Sequence, residues 1–239
     1  MRPRSLAVLV PAHNEEDLLP GALDAIRAAA RHPALRRVRV LTVVAADDCS
    51  DGTVAAAAQA GADVVRVTCR NVGLARAAAA DRALELLDGP EGVWLASTDA
   101  DSTVPPHWLA FQHARAVEGW DAVVGTVSVA EWPQHVPGLA ARHQSHYVAS
   151  RPAHGPWHHP HVHGANLGVC ADAYLAVGGF PALPVSEDHG LVAALGARGH
   201  RILRTADCPV TTSGRLAPRA HGGFGDHLAG LALEESPAS

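Results

Sequence analysis

Two aspartates separated by one residue, Asp99 and Asp101, directly follow an apolar run over Val93 to Ser97. Such a run is typical of a buried strand, and ligand sites in open parallel sheets lie just beyond the carboxyl ends of strands. Two carboxylates at that position suit Mg²⁺ or Mn²⁺ holding a diphosphate. The pair alone is a weak signal, because Asp-x-Asp also arises by chance.

Two earlier polar segments follow apolar runs in the same way. Residues 11–16 could contact a nucleotide base or ribose beside the free N–H groups of the next helix, although Asn14 could equally be an ordinary helix N-cap. In residues 46–53 a carboxylate can accept a hydrogen bond from a base, whereas Asp51 or Ser50 can instead cap the following helix.

A third polar segment covers residues 70–76. Gly73 permits a close approach of the backbone, and Arg76 could bind a phosphate through two N–H groups or lie in solvent. Together with Asp99-Ala100-Asp101, four such loops belong at one edge of a parallel sheet, which chance explains poorly.

The elements that would position these loops alternate along the chain, which predicts a parallel, three-layer sheet with right-handed crossovers. Strands are predicted over 6–10, 38–46, 63–68 and 93–97, and helices over 15–30, 51–60 and 73–87, the first with acidic residues in its first turn. Later elements are predicted as a helix from Pro105 to 117, a strand over 121–130, a loop over 151–163, a strand near 162–170, helices from 171 and 187, and a strand near 201–205.

The bulk composition limits the possible functions. The chain has 239 residues, of which 48% are hydrophobic, enough for one sizeable domain that we expect to span residues 1–239. We expect a nucleotide-binding half over about 1–102 and an acceptor-binding half over about 103–239. The net charge of −5 implies no nucleic-acid partner. The four cysteines form no C-x-x-C pair and are interpreted as reduced thiols.

The chain starts without an apolar signal segment, and no stretch approaches the roughly 18–20 apolar residues of a transmembrane span. A soluble cytoplasmic protein is therefore expected.

The motifs in order resemble the large glycosyltransferase family 2, whose members use nucleotide sugars and have the GT-A fold. The matching pieces are VLVPAHNEE, ADDCSDGT, NVGLARAAA, STDADS, HGANLGVCADAYLAVGGF and SEDHGL, spread over about residues 6–191. The resemblance implies an α/β, Rossmann-like three-layer α/β/α sandwich with a mostly parallel central sheet. It also implies a UDP- or GDP-linked sugar donor and Mn²⁺ or Mg²⁺ as cofactor.

Several site residues follow from this resemblance. Ala12 and Glu15 would lie at the nucleotide, and Asp47 would bind its base. Asp99 would hold the ribose and, with Asp101, the metal and diphosphate. Arg76 joins the nucleotide-binding set on the reasoning given above.

Other roles fall in the second half of the chain. Gly164, Ala165 and Asn166 would line the acceptor and sugar side, together with His189. Asp188, beside Glu187, matches the expected catalytic base, which would take the proton of the acceptor hydroxyl in an inverting direct displacement. The simpler alternative for this acidic pair is a plain acidic first turn of a helix.

Two further segments have alternative interpretations. His154, His158, His159, His161 and His163 fit no standard zinc spacing, so a flexible acceptor-side loop is favoured over a dedicated zinc site. The Gly-rich segment carrying Arg215, Arg219 and His221 could close over the diphosphate as a lid, or could be a solvated basic loop.

The chain lacks the Gln-x-x-Arg-Trp motif and the membrane helices of processive synthases of this family. Single transfers to a small or soluble acceptor are therefore expected. Two alternatives remain: a nucleotidyltransferase, disfavoured because no Gly-rich basic stretch follows the first strand, and a non-catalytic sugar-nucleotide-binding protein, disfavoured by the intact Asp99, Asp101 and Asp188.

Overall fold

An eight-stranded sheet forms the centre of the computed structural model, which describes residues 3–129, 131–216 and 223–233. In chain order the strands are β1 (Ser5–Ala12), β2 (Arg39–Asp47), β3 (Asp63–Val67), β4 (Val93–Ser97), β5 (Ser102–Thr103), β6 (Ala122–Val129), β7 (Leu167–Cys170) and β8 (Ile202–Thr212). Across the sheet they are ordered β3-β2-β1-β4-β7-β6-β8-β5. Strands β1 to β4 run parallel, whereas β7 is antiparallel to β4 and β6. The predicted α/β class with a mostly parallel sheet is confirmed.

Helices cover both faces of this sheet. They are α1 (Leu19–Ala30), α2 (Thr53–Gln59), α3 (Val72–Leu86), α4 (Trp108–Val117), α5 (Leu139–Tyr147), α6 (Ala171–Ala176), α7 (Glu187–Ala197) and α8 (Phe224–Leu233), with short 3₁₀ turns at Pro33–Leu35 and Gly164–Asn166. Alternate residues of β1 point to opposite faces, so Ala7 and Leu9 join a core with α3, α6 and α7, while Leu6 and Val8 join a core with α1 and α4. The three layers are thereby confirmed.

Helix α3 lies close against the sheet because its buried face is made of alanines. Ala75, Ala79 and Ala83 recur every four residues and are almost fully buried. The Asn71 side chain accepts a hydrogen bond from the Leu74 N–H and so caps the first turn. This fixes where the helix starts, directly after the loop that follows β3.

Several element boundaries predicted from the sequence were wrong. Helix α1 begins at Leu19 rather than at residue 15, because Pro20 suits the first turn of a helix and the chain before it is held by the loop after β2. There the Glu15 N–H donates to Thr53 Oγ1 at 2.7 Å, and the Gly52 N–H donates to Glu16 Oε2 at 2.6 Å. The acidic residues therefore precede the helix.

The second half of the chain departs further from the sequence prediction. Strand β8 continues to Thr212, and β7 begins only at Leu167. Helices α5 and α8 occupy segments for which no helix was predicted, whereas residues 151–163 contain neither helix nor strand, as expected. The four cysteines form no disulfide.

None of the helices in the described ranges is both long and apolar enough to cross a membrane.

Two glycines give a matched test of this packing. A Cβ on Gly168 of β7 would lie 2.6 Å from Trp94 Nε1 and would also collide with Gln112, which accepts the hydrogen bond of that indole. Gly168→Ala should therefore destabilise the protein by about 1–3 kcal/mol. A Cβ on Gly21 of α1 has nothing within 4 Å, so Gly21→Ala should stabilise by about 0.5–1 kcal/mol. Urea denaturation measures both, and equal effects would contradict the packing described.

Candidate active site

A cavity of about 570 Å³ opens where β1, β2 and β4 end and α7 begins. It lies where ligands bind in open α/β sheets, beyond the carboxyl ends of the strands. Its lining includes residues predicted from the sequence: Ala12, Glu15, Asp47, Arg76, Asp99, Asp101, Gly164, Ala165, Glu187, Asp188, His189 and Arg215. Arg219 and His221 lie outside the described residues. The structure thus brings the four predicted loops to a single cavity.

The guanidinium of Arg76 is buried in the cavity wall between two carboxylates. It donates hydrogen bonds to Asp99 and Glu187, and its Nε donates to Ser97 Oγ at 3.1 Å. Burial opposes the charge, but the two carboxylates raise the pKa of Arg76 above its ordinary value. Arg76 is therefore no solvated surface residue, and the partners of its nitrogens argue against the direct phosphate contact predicted for it.

Two glycines leave the space for this bridge. A Cβ on Gly164 would collide with the Arg76 guanidinium, and one on Gly73 would lie 2.8 Å from Glu187 Cβ. The close approach expected at Gly73 is therefore an approach to the start of α7. Without side chains at these two positions, the loop after β3, the 3₁₀ turn before β7 and helix α7 can meet around one guanidinium.

A second arginine bridges the acidic corner at the ends of β1 and β4. Arg215 Nη2 lies 2.9 Å from Asp101 Oδ2, and Nη1 donates to Glu15 Oε2 at 3.1 Å. Burial, together with the nearby charges of Asp99 and Glu15, raises the pKa of Asp101 to about 6 despite the opposing effect of Arg215. This corner therefore carries more negative charge than one arginine neutralises.

The donor set of this corner fits a divalent cation shared with a substrate. Within the described ranges, no three His, Cys, Asp or Glu side chains are grouped so as to hold a metal ion by themselves. Asp99 and Asp101 supply hard carboxylate oxygens, and Mg²⁺-type ions are commonly held by one or two carboxylates plus substrate phosphates. The excess negative charge around the partly buried Asp101 is the feature that a cation would relieve.

The Asp47 carboxylate has a structural task that sequence reasoning missed. Its two oxygens accept hydrogen bonds from the backbone N–H groups of Cys69, Arg70 and Asn71 at 2.8–2.9 Å. The Cys69 thiol contacts the same carboxylate at 3.3 Å. Asp47 thereby fixes the loop after β3 at the cavity rim, and its predicted contact with a base remains a prediction.

The predicted catalytic pair lies at the N-terminus of α7. Asp188 Oδ2 accepts from the Gly164 N–H at 2.8 Å, and Oδ1 accepts from the His189 N–H at 2.7 Å. Glu187 is buried against Arg76, and burial, reinforced by Asp188, raises its pKa even though Arg76 acts in the opposite direction. The acidic pair thus has two different environments: Glu187 is buried in an ion pair, and Asp188 is held by backbone N–H groups at the cavity.

Asn166, predicted to line the acceptor side, lies behind the cavity instead. Its Oδ1 accepts from Trp108 Nε1, and its Nδ2 donates to the carbonyls of Thr126 and Cys208, all at 2.9 Å. It is 2% exposed. All of these groups belong to the protein interior, so Asn166 joins α4, β6 and β8 rather than contacting a ligand.

Aromatic and imidazole side chains from three segments line the other side of the cavity. We call this set the imidazole wall: Tyr147 of α5, His161 and His163, and Phe224 and His227 of α8. His159, His161 and His163 recur every second residue, which places their rings on one side of an extended segment, and their ring planes are within 18° of parallel for neighbouring pairs. The alternation of these histidines could have been used to predict that their rings share one face. No sequence pattern indicated that helices α5 and α8 would contribute to this side of the cavity.

Comparison with known proteins gives one family. The model of the family described as Glycosyl transferase family 2 matches residues 7–175, more than half of the chain. No curated protein matches the chain significantly.

Solved structures share the fold. A mannosyltransferase from Pyrobaculum calidifontis in complex with GDP-Man and Mn²⁺ is 22% identical with a TM-score of 0.64, and the match covers 89% of this chain and 57% of that chain. TarS 1-349 from S. aureus in complex with UDP is 16% identical with a TM-score of 0.61, covering 89% and 61%. Glucosyl-3-phosphoglycerate synthase from Mycobacterium tuberculosis in complex with Mn²⁺ and UDP-Glc is 19% identical with a TM-score of 0.54, covering 96% and 75%. The chain therefore spans less than two thirds of the length of the first two neighbours.

The Arg76 bridge can be tested against another arginine of the same helix. Arg76→Leu leaves Asp99 and Glu187 without their shared counter-charge and should lower the free energy of unfolding by about 3–5 kcal/mol. Arg82 also pairs with two carboxylates, Asp63 and Glu85, but at the surface, so Arg82→Leu should cost clearly less. Urea denaturation of the two variants measures the difference. Equal losses in the free energy of unfolding would show that the buried Arg76 bridge stabilises the protein no more than the surface pairs of Arg82.

Proposed function

Because the chain belongs to glycosyl transferase family 2 and has the GT-A fold, we propose that it transfers a sugar from a nucleoside-diphosphate sugar to a hydroxyl group of an acceptor. The observation that carries this proposal is the shared cavity, in which the acidic pair Asp99 and Asp101 and the carboxylate Asp188 come together from β4 and α7. Transfer of a sugar from a nucleoside diphosphate needs two groups in one enclosed place: one that neutralises the charge on the leaving diphosphate, and a base that takes the proton of the acceptor hydroxyl.

The nucleotide would bind on the side formed by the first half of the chain, over about residues 1–102. Ala12, Glu15 and Asp47 line that side at the ends of β1 and β2, and Asp99 follows β4. Structural neighbours were solved with GDP-Man, UDP and UDP-Glc, which supports a guanosine or uridine diphosphate sugar as donor. The second half, over about residues 103–239, would supply the acceptor side.

A divalent cation, Mn²⁺ or Mg²⁺, would be held by Asp101 and Asp99 together with the donor diphosphate. Two of the neighbours named above were solved with Mn²⁺. When bound, such an ion stabilises the negative charge that develops on the leaving diphosphate. Arg215 is paired with Asp101 and Glu15. If a cation were bound to Asp101, Arg215 would be available to the diphosphate, which is the lid role predicted for its segment.

Asp188 would act as the general base. Both of its oxygens are fixed by backbone N–H groups, and each oxygen keeps a lone pair for the acceptor hydroxyl. Glu187 takes part by anchoring the start of α7 to Arg76. A single displacement with Asp188 as base would invert the anomeric configuration of the transferred sugar.

Donor turnover tests the proposed activity. In a panel of UDP- and GDP-sugars, one donor should release its nucleoside diphosphate with Mn²⁺, and EDTA should abolish the release. Donor binding without any release would favour a non-catalytic nucleotide-binding protein. Pyrophosphate release from a nucleoside triphosphate would favour a nucleotidyltransferase.

The role of Asp188 has its own test. Asp188→Asn should lower the rate of sugar transfer by about 10²–10⁴-fold, because the amide cannot accept the proton, while the donor Kd stays within error of the wild type. Asp172→Asn, at an exposed position of α6 outside the cavity, should leave both quantities unchanged. Near-normal turnover of Asp188→Asn would rule out this assignment.

A further inference from the structure

We infer that the acceptor is an uncharged polyhydroxyl compound, such as a sugar or glycoside, and that the Nδ1–H of His163 donates a hydrogen bond to it beside Asp188. This inference rests on the proposed glycosyl transfer. It assigns the imidazole wall to the binding of this acceptor class, and it makes His163 a residue that determines acceptor specificity.

The hydrogen bonds around Tyr147 fix the tautomer of His163. The Tyr147 hydroxyl accepts from the Val127 N–H at 3.0 Å, so its own proton points to His163 Nε2, also at 3.0 Å. A neutral imidazole that accepts at Nε2 carries its proton on Nδ1. Burial lowers the pKa of His163 to about 3, which keeps the ring neutral and maintains this arrangement at physiological pH.

The Nδ1–H of His163 is left for a ligand. In the part of the chain that the structure describes, His163 Nδ1 has no hydrogen-bond partner within the protein. It is not sealed from solvent, and the residue lines the cavity. His163 directly precedes Gly164, whose N–H holds the Asp188 carboxylate. His163 is therefore one residue away in the chain from the N–H group that holds the proposed base, and both side chains line the same cavity. An acceptor hydroxyl and its neighbouring oxygen could contact both.

The ring contacts hold His163 in a defined place. Its ring meets Phe224 edge-on at 5.6 Å, and Tyr147 stacks on His161 with ring centroids 3.9 Å apart. The His161 Nε2 in turn faces the Tyr147 carbonyl at 2.7 Å. A wall of packed rings with few convergent polar atoms is typical of sites for compact ligands with apolar faces and hydroxyl groups.

The distribution of charge argues against an anionic acceptor. The chain has no lysine, and the arginines known to line the cavity, Arg70, Arg76 and Arg215, are each paired with carboxylates. Within the described residues the imidazole wall adds no fixed cation, and burial also lowers the pKa of His161. A phosphate or carboxylate on the acceptor would stand near the Asp188 carboxylate, and each of these arginines would have to leave a carboxylate partner to balance it, which is costly in a partly buried site.

Two variants of the histidine segment separate an acceptor contact from a general structural effect. His163→Phe should raise the acceptor KM about tenfold, as expected for the loss of one buried hydrogen bond, and should change the donor KM less than the acceptor KM. His163→Asn, which keeps an N–H donor near the position of Nδ1, should raise the acceptor KM less than His163→Phe does. The matched control is His158→Phe, at an exposed position of the same segment outside the cavity, and it should behave like the wild type.

The charge of the acceptor is tested with methyl glycosides, each paired with its phosphorylated counterpart. The wild type should glycosylate the neutral member of a pair more efficiently, by about tenfold or more in kcat/KM. His227→Arg adds a fixed cation at an exposed position of the wall, so it should narrow the difference in kcat/KM between the two members of each pair.

The outcomes distinguish this inference from the function on which it rests. No donor hydrolysis with any nucleotide sugar would contradict the proposed function itself. If the donor is hydrolysed but sugar reaches only phosphorylated members, or neither kind, the uncharged acceptor is wrong. An unchanged acceptor KM in His163→Phe would show that His163 does not donate a hydrogen bond to the acceptor.

Discussion

The buried guanidinium of Arg76 is the interaction on which the geometry of the site depends. It joins Asp99, which follows β4, to Glu187, which begins α7. Without the guanidinium between them, the two carboxylates would repel each other, and the buried Glu187 would lose its counter-charge. The guanidinium holds the acidic loop after β4 and the start of the helix that carries Asp188 at a fixed distance. Gly73 and Gly164 serve this contact, since a side chain at either position would occupy its space.

The charges of the cavity are divided between its two sides. Arg70, Arg76 and Arg215 each pair with carboxylates near the ends of the parallel strands. A diphosphate and a cation bound there would exchange partners with Arg215, while Arg76 keeps its bridge. On the opposite side, burial lowers the pKa values of His161 and His163, which keeps these two rings neutral. A charged donor and an uncharged acceptor would each find a matching environment, and the backbone-held Asp188 lies where the two meet.

Much of the fold could be predicted from the sequence, because it follows from local patterns. Short apolar runs alternating with Ala-rich segments indicate parallel strands and crossover helices, and β4 was predicted at its observed bounds, Val93–Ser97. The gathering of four loops at one cavity follows from the same topology. The strand near 162–170 was predicted, but the antiparallel direction of β7 was not, and helices α5 and α8 were missed. The pairing and packing of these elements depend on distant parts of the chain.

Side-chain partners could not be predicted for the same reason. Arg76 and Glu187 are separated by 111 positions, and no local pattern indicates that they meet. Asn166 lies within a matching motif, yet its amide is bonded to Trp108 and two carbonyls of the interior. A phosphate contact was predicted for Arg76, and an acceptor contact was predicted for Asn166. Both predictions assumed that a polar residue near the site is available to a ligand, whereas these side chains are hydrogen-bonded within the protein.

A crystal structure of the chain with Mn²⁺ and a non-transferable analogue of its nucleotide-sugar donor tests the central claim most directly. The diphosphate should lie in the cavity with Mn²⁺ bound to Asp101 or Asp99, and Arg76 should still bridge Asp99 and Glu187. A nucleotide bound at another surface, or a metal ion that contacts neither aspartate, would contradict the assignment of this cavity as the active site.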